Sequence, residues 1–482
     1  MDARAPEAPP RSRATRVAFI QLGCPKNLVD GEIMMALVER AGMRLAADIG
    51  AADVAVINTC AFIADAEREA IGCILETARL KRHGRLRFLI VAGCLAQRRG
   101  EALLEEMPEI DGLIGPSRCR RIADVIRALL GGRGARVALG GLEDPPPWKP
   151  RLRTGYPHVA YVKIAEGCDH RCRFCLIPRL RGPQRSRRAG DVVGEVRRLA
   201  REGTQEVVLV AQDTTAYGRD LHDGSGLAGL LRRLNEMRDG PAWIRLLYTH
   251  PAHWTDELMG VLAARGRVLP YIDVPVQHAS DQVLTAMGRG RSGARIRALI
   301  ERLRARIPDV VLRTTVMTGH PGEGPGEFAE LLAFVRQFPF DRLGAFAYSP
   351  EPDTGSATVP GRPLIKVARE RRALVLSAQK EIASGLQRTR VGRSYDVLVD
   401  GVRPRDRLVV ARSYGEAPEI DGVVRVRLPA GKAQEMAEPG EFLRVRIVGA
   451  GPYDLLAVPA EGAQAVRTEP RRKRRRAWKE ES

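Results

Sequence analysis

Six of the eight cysteines stand where thiolates could act together. Three of them fall within the eight residues Cys168-Asp-His-Arg-Cys172-Arg-Phe-Cys175, a C-x3-C-x2-C pattern. Thiolates are the usual ligands of iron–sulfur clusters. A four-iron cluster has four metal corners. Three cysteines therefore leave one iron to take a small molecule, as the open position of a catalytic metal site does. A zinc knuckle is the alternative, with His170 the only nearby candidate for a fourth ligand. The other three, Cys24, Cys60 and Cys94, are widely spaced, yet each follows a short apolar run. One cysteine in such a place is usually just a small buried residue. Three in equivalent places point to a second shared cluster. Cys73, inside a helical pattern, and Cys119, opening another, read as structural.

The elements that must position these thiols are legible in the same residues. Arg16–Gln21, Asp53–Ile57 and Arg87–Ala92 read as strands, with helical patterns over Asp30–Ala41 and Asp65–Lys81. Alternating strands and helices imply a parallel sheet with covering helices. Ligands of such sheets sit off the carboxyl ends of the strands, which brings Cys24, Cys60 and Cys94 to one edge. This first domain covers about residues 14–130 and follows a stretch, 1–13, expected to be disordered. Residues 131–153 read as a linker, glycine-rich and ending in Pro145, Pro146, Pro147 and Pro150, a composition that opposes helix and central strand.

A second domain, about residues 154–384, carries six strand candidates: His158–Ile164, Glu206–Ala211, Trp243–Tyr248, Pro270–Val274, Val310–Val316 and Arg342–Tyr348. Six β/α units suggest a partial barrel with its site at the carboxyl ends of the strands. The cysteine loop follows the first strand. Gln212, Asp213, Thr249, His250, Gln277, His278 and His320 follow others and outline a polar rim. In the third domain, about 385–459, Tyr395–Val399, Arg407–Ala411, Val423–Leu428 and Phe442–Val448 read as strands. Val424, Val426 and Leu428 alternate with Arg425 and Arg427; Leu443, Val445 and Ile447 alternate with Arg444 and Arg446. This period of two gives a small antiparallel barrel, apolar inside and basic outside. Residues 460–482, with the run Arg471–Arg476, read as a disordered basic tail. The fold class is α/β, closed by this small barrel.

At 482 residues the chain has material for two to four domains, and its 44% hydrophobic and 28% charged content is globular. The formal net charge of +20 favours an anionic partner such as nucleic acid or a ribonucleoprotein. Eight cysteines are too sparse for a disulfide scaffold and suit a reducing compartment. Met1–Thr15 has no apolar core of the kind a signal peptide needs, and no apolar run approaches the length of a membrane span. A cytoplasmic protein is expected.

The cysteine loop, with Phe174 before its last cysteine, resembles the signature of radical S-adenosylmethionine (SAM) enzymes. Three spaced cysteines in a domain ahead of such a core resemble the methylthiotransferases. Within these, Leu22-Gly-Cys-Pro-Lys-Asn27, Asp169-His170, Leu176-Ile-Pro178 and Ala211-Gln-Asp-Thr-Thr215 resemble the RimO branch; the tRNA-modifying branch has Gln-Met in place of Pro25-Lys26. Ala417-Pro-Glu-Ile-Asp-Gly422 is similar to a loop of TRAM domains, modules that bind RNA or substrate. The resemblance implies two 4Fe-4S clusters, on Cys168, Cys172 and Cys175 and on Cys24, Cys60 and Cys94. It implies SAM as cofactor, with Phe174, Gln212, Asp213, Gly319 and Gly322 as candidate contacts and no catalytic residue beyond the cluster ligands. The family commonly has Gly-Phe-Pro-Gly-Glu where this chain has Gly319-His-Pro-Gly-Glu323. The implied activity adds a methylthio group to the β-carbon of an aspartate in ribosomal protein S12, free or within the small ribosomal subunit; methylthiolation of tRNA adenosine is the alternative. Ribosomal RNA and a reductase or flavodoxin-like electron donor are further implied partners. The third domain is expected to dock substrate and to be dispensable for SAM cleavage.

Overall fold

The computed structural model describes residues 14–84, 86–140, 151–429 and 437–460. The proline cluster Pro145–Pro150, the N-terminal stretch 1–13 and the basic run Arg471–Arg476 lie outside the described residues. The chain divides into two compact units. One is Met1–Arg153 together with Arg179–Arg181; the other is Thr154–Pro178 with Gly182–Ser482.

The first unit holds a parallel sheet of six strands: β1 (Arg16–Gln21), β2 (Arg44–Leu45), β3 (Val54–Thr59), β4 (Phe88–Gly93), β5 (Gly112–Ile114) and β6 (Arg136–Ala138), in the order β2-β1-β3-β4-β5-β6. β3 is buried at every residue. Its unbroken run Val54-Ala-Val-Ile57 suits that place, because a parallel strand covered on both faces has no solvent side. β6 lies in the stretch expected to be linker. It is an edge strand of three residues, and an edge needs only one ladder, so a glycine-rich flank can still supply it.

The second unit begins with β7 (Val159–Lys163). The pair β8 (Ala165–Glu166) and β9 (Arg185–Ser186) then ties together the base of the cysteine loop. β10 (Glu206–Val210), β11 (Trp243–Leu246), β12 (Val268–Asp273), β13 (Val311–Thr318) and β14 (Arg342–Ala347) continue a parallel sheet in the order β7-β10-β11-β12-β13-β14. Neighbours in sequence are neighbours in the sheet, the order successive β/α units give to an open barrel. The helix Ile365–Arg388 leads to a closed barrel of β15 (Ser394–Arg403), β16 (Leu408–Arg412), β17 (Val424–Arg427), β18 (Phe442–Ala450) and β19 (Leu455–Pro459). The expected alternation holds: Val424, Val426, Leu443, Val445 and Ile447 fill its core, and Arg425, Arg427, Arg444 and Arg446 are exposed. Two of these arginines are already paired, Arg425 with Asp454 and Arg444 with Asp396. The fifth strand, β19, closes the barrel by a parallel seam to β17.

This barrel closes the amino-terminal end of the open sheet. Glu206, the first residue of β10, is fully buried. It accepts from Arg245 Nε of β11 at 2.6 Å and pairs with Arg412 at the end of β16. Arg412 also holds Asp400 in a two-pronged bond of 2.7 and 2.9 Å, and Asp400 meets His158 at 2.9 Å. In the next loop Glu416 accepts from Arg342 and Arg390, and Asp421 accepts from Tyr271 Oη at 2.7 Å. The TRAM-like loop Ala417–Gly422 is thus a plug. Burial raises the pKa of Glu206, but Arg412 and Arg245 outweigh it and hold the carboxyl below its ordinary value. The third domain is therefore not an appended module: ending the chain near Ser384 takes Arg412 from Glu206 and Glu416 from Arg342. The expectation that the first two domains suffice for SAM cleavage loses its physical basis.

Arg412→Met leaves the Glu206 and Asp400 carboxylates short of a cation in a dry setting. Removing one partner of a buried pair costs about 3–5 kcal/mol. Urea denaturation of the full chain should show that loss. A change below about 1 kcal/mol would put the pair with ordinary surface bridges.

Candidate metal centres

In the first unit the strand ends of β1, β3 and β4 lead into Cys24, Cys60 and Cys94. Gly23 and Gly93, each one residue before a cysteine, have φ of +90° and +91°. A Cβ on Gly23 would lie 2.6 Å from Cβ of Cys60, and one on Gly93 would lie 2.5 Å from the carbonyl oxygen of Thr59. Only glycine allows both the conformation and the approach. Cys24 is the N-cap of the helix Pro25–Arg40, among amides that have no partner within the helix.

Asn27 fastens these loops to one another. Its Nδ2 donates to the carbonyl oxygens of Leu22 and Thr59, both at 2.9 Å, and so spans the Cys24 and Cys60 loops. Its backbone carbonyl accepts from Asn58 at 2.7 Å, and its Oδ1 accepts from Arg181 Nη2 at 3.1 Å. The same Nη2 lies 3.6 Å from Sγ of Cys94, while Nη1 pairs with Asp30 at 3.1 Å. Arg181 and Asp30 are both buried. Burial pushes the Cys94 thiol up to about 11, against Arg181. Burial raises Cys60 as well, against the amide of Phe62. It raises Cys24 too, but there Lys26, Arg181 and two backbone amides win, and the thiol lies below its ordinary value.

In the second unit the loop after β7 carries Cys168, Cys172 and Cys175. The Cys168 amide donates to Gly182 O at 3.0 Å and that of Arg173 to Met287 O at 2.9 Å, which fixes the loop at both flanks. The Ile177 amide points at Sγ of Cys175, 3.5 Å away, and the His170 amide at Cys168. Burial drives Cys168 up to about 11 and Cys175 up to about 12.

The donor geometry separates the two metals considered. Zn–S bonds of about 2.3 Å in a tetrahedron bring sulfurs to roughly 3.8 Å of one another. Among the described residues the side chains grouped closely enough to share a single ion are His170, Asp213, His250 and His253, and neither cysteine triad is among them. Each triad offers three thiolates, one short of a closed zinc site and the number that a four-iron cluster with one open corner takes. His170, the candidate fourth zinc ligand, is turned to Asp213, with Nε2 2.7 Å from Oδ2.

The polar rim is unevenly occupied. Both oxygens of Asp213 are engaged within the protein. Oδ1 takes the amides of Thr215 and Ala216 and the Thr215 hydroxyl; Oδ2 takes His170 and His253. Burial raises this carboxyl, but the bonds from His170, His253 and Thr215 hold it well below the usual range. His250 stacks on His170 with ring centroids 3.8 Å apart, and burial pushes it down to about 2, so it is neutral at pH 7. These four groups lie within 4.8 Å of one another, yet a cation there would have to displace two imidazole protons from the carboxylate. Gln212 differs: Nε2 donates to Glu166 at 2.8 Å, and Oε1 is buried with no hydrogen-bond partner. Phe174 meets His320 edge-on at 6.3 Å. His320, the departure from the usual phenylalanine, is buried against Ser356 and the Pro321 carbonyl, and burial lowers it to about 4. It fills the place of an uncharged ring. Gly319 packs against Ala368, where a Cβ would come within 2.2 Å, and its amide donates to Glu323. Gly322 has φ +90°, and its carbonyl accepts from Gln282. The sequence reading missed Arg181 and the role of Asn27. The visible signal was one of two arginines in Pro178-Arg-Leu-Arg181-Gly182, indistinguishable by type from the many surface arginines.

Three family models match in chain order: "Uncharacterized protein family UPF0004" over residues 16–115, "Radical SAM superfamily" over 162–335 and "TRAM domain" over 391–459. The chain is 46% identical over 455 residues to the ribosomal protein uS12 methylthiotransferase RimO of Desulforudis audaxviator, covering 93% of this chain and 98% of that protein. It is 44% identical over 447 residues to the protein of the same name from Pelotomaculum thermopropionicum, with 91% and 98% covered. Among solved structures, the radical SAM methyltransferase TsrM of Kitasatospora setae shares the fold at a TM-score of 0.55 and 17% identity, over 72% of this chain and 77% of that one.

Asn27→Ala removes the link between the Cys24 and Cys60 loops and leaves the carbonyls of Leu22 and Thr59 without its amide. An orphaned buried group costs about 1–3 kcal/mol. Thermal unfolding should show a loss of at least that size; an unchanged melting temperature would mean water replaces the side chain without cost.

Proposed function

The chain belongs to the RimO family of ribosomal protein uS12 methylthiotransferases in the radical SAM superfamily, and from that membership we propose how its residues divide the work. The reaction proposed is transfer of a methylthio group to the β-carbon of an aspartate in ribosomal protein S12. The observation that carries the proposal is the pair of thiol triads, each at a strand-end loop of its own parallel sheet. Cys168, Cys172 and Cys175 hold one 4Fe-4S cluster with SAM; Cys24, Cys60 and Cys94 hold a second. Bound there, these groups supply one-electron cleavage of a sulfonium, hydrogen abstraction from an unactivated carbon, and sulfur; the protein's share is orientation and exclusion.

Several residues serve that share. Amides at Cys168 and Cys175 steady the negative charge of thiolates. Gln212 has its amide nitrogen fixed by Glu166 and offers Oε1 to a donor such as the SAM ammonium. Asp213, saturated by its own loop, acts by orienting His170 and the cysteine loop. Phe174 and the backbone at Gly319 and Gly322 line the same end of the sheet. His250 and His320 are neutral at pH 7, so neither adds a positive charge to the rim. Pro25-Lys26 favours S12 over tRNA as substrate. Arg427 and Arg446 on the small barrel are exposed and suit contact with ribosomal RNA phosphates beside S12. A reductase or flavodoxin-like protein would supply electrons. Among the described residues no helix is long and apolar enough to cross a membrane, and a cytoplasmic location fits a ribosomal substrate.

Replacing Cys168, Cys172 and Cys175 with Ala should remove about half the iron of anaerobically reconstituted protein, if each triad holds one cluster independently, and abolish SAM cleavage. Replacing Cys24, Cys60 and Cys94 should spare cleavage and stop sulfur insertion. Finding zinc, or iron for a single cluster in the intact chain, defeats the two-cluster reading.

Offered S12 and tRNA together, the loaded enzyme should leave a methylthio mass increment on S12 alone. Mass spectrometry that finds modified adenosine and unmodified S12 would reverse the substrate assignment.

A further inference from the structure

Arg181 reaches the first triad from an unexpected direction in sequence. It ends the short helix Ile177–Arg181, six positions after Cys175, and yet groups with the first unit. Its guanidinium is buried, and its partners there include Oδ1 of Asn27, Oδ2 of Asp30 and Sγ of Cys94. A buried arginine costs several kcal/mol unless it is paired, and one carboxylate would suffice to pair it. The structure spends it differently, with one Nη on Asp30 and the other on the Asn27 oxygen and a thiol that becomes anionic when it binds metal. Asn27 is itself the brace between the Cys24 and Cys60 loops. Arg181 therefore stands where a fixed positive charge meets the ligand of the third loop and the support of the other two.

We propose that Arg181 is a positioning residue of the Cys24–Cys60–Cys94 cluster, whose charge stabilises the reduced, more negative cluster and so sets its potential, with Asp30 as the counterweight. The inference rests on the reading that these cysteines hold a cluster. The electrostatic argument is short. A cation beside a sulfur ligand, away from water, lowers the energy of every added electron on the cluster. An anion paired to that cation takes part of the effect back. Removing the cation and removing the anion must then move the potential in opposite directions. A residue that only held the loops together would not do that, because loosening either end of one ion pair has the same sense.

The test uses the full chain with Cys168, Cys172 and Cys175 replaced by Ala, so that one cluster contributes to the signal. After anaerobic loading with iron and sulfide, iron per chain is counted and the midpoint potential is read by electron paramagnetic resonance across a redox titration. In R181M the ratio of reduced to oxidised cluster at fixed potential should fall about tenfold, a downward shift of about 59 mV for a one-electron couple. In D30N the potential should rise. If R181M takes up no cluster, the D30N titration decides alone: an upward shift upholds the inference, and an unchanged or lower potential overturns it. Equal potentials in parent, R181M and D30N also overturn it. Should the parent itself load no iron, the cluster reading fails before Arg181 is tested.

Discussion

The parallel β-ladder is the constraint on which the chemistry depends. Strands that run the same way must place every strand-to-helix turn along one edge. That is why cysteines as far apart as Cys24, Cys60 and Cys94 arrive together, and why Cys168, Gln212, His250 and His278 share the other sheet's rim although 110 positions separate the first from the last. Nothing about thiols attracts them to one another. The backbone assembles them, and side chains such as Asn27 then correct the spacing by bonds of about 3 Å.

Charge is handled differently at the two ends of the second sheet. At the amino end, carboxylates and guanidinium groups are buried in matched sets, which Arg412, Glu416 and the plug Ala417–Gly422 complete. At the carboxyl end the acids are few and each is saturated: Asp213 by its own turn and two imidazoles, Glu323 by Arg371, the Gly319 amide and His278. Burial leaves the neighbouring histidines His250 and His320 uncharged. One end is thus held by strong fixed charges, and the other is quiet enough for a radical to form near the backbone and SAM-binding groups proposed above.

Much of this was legible in the residues themselves. The six strands of the second sheet were each visible within a few positions, because strands that are largely buried read as apolar runs bounded by turns. The alternation of Val424, Val426 and Leu428 with arginines disclosed the barrel's inside directly. What was not legible depended on partners distant in sequence. β2, β5 and β6 are two or three residues long and exist only because a neighbour offers a ladder. Arg412 and Arg181 look like any other arginine until the carboxylates they meet are known. Asp213 looked like a ligand contact because it follows a strand, and the three-residue turn that occupies it leaves no signature in the residue types. His320, which stands where the family commonly has phenylalanine, is a neutral ring in a buried slot.

The plug also has a consequence for synthesis. Glu206 meets Arg412 across 206 positions of chain. A ribosome adding about 5–20 residues per second needs roughly 10–40 s to deliver the second after the first. For that interval the sheet from β7 to β14 can form its ladders, but Glu206 has only Arg245, and the guanidinium group of Arg342 awaits Glu416. The nascent enzyme must pass through a state with a wet, charged opening at its base. The small barrel therefore completes the base of the second sheet last, and the final fifth of the chain determines when that sheet becomes stable.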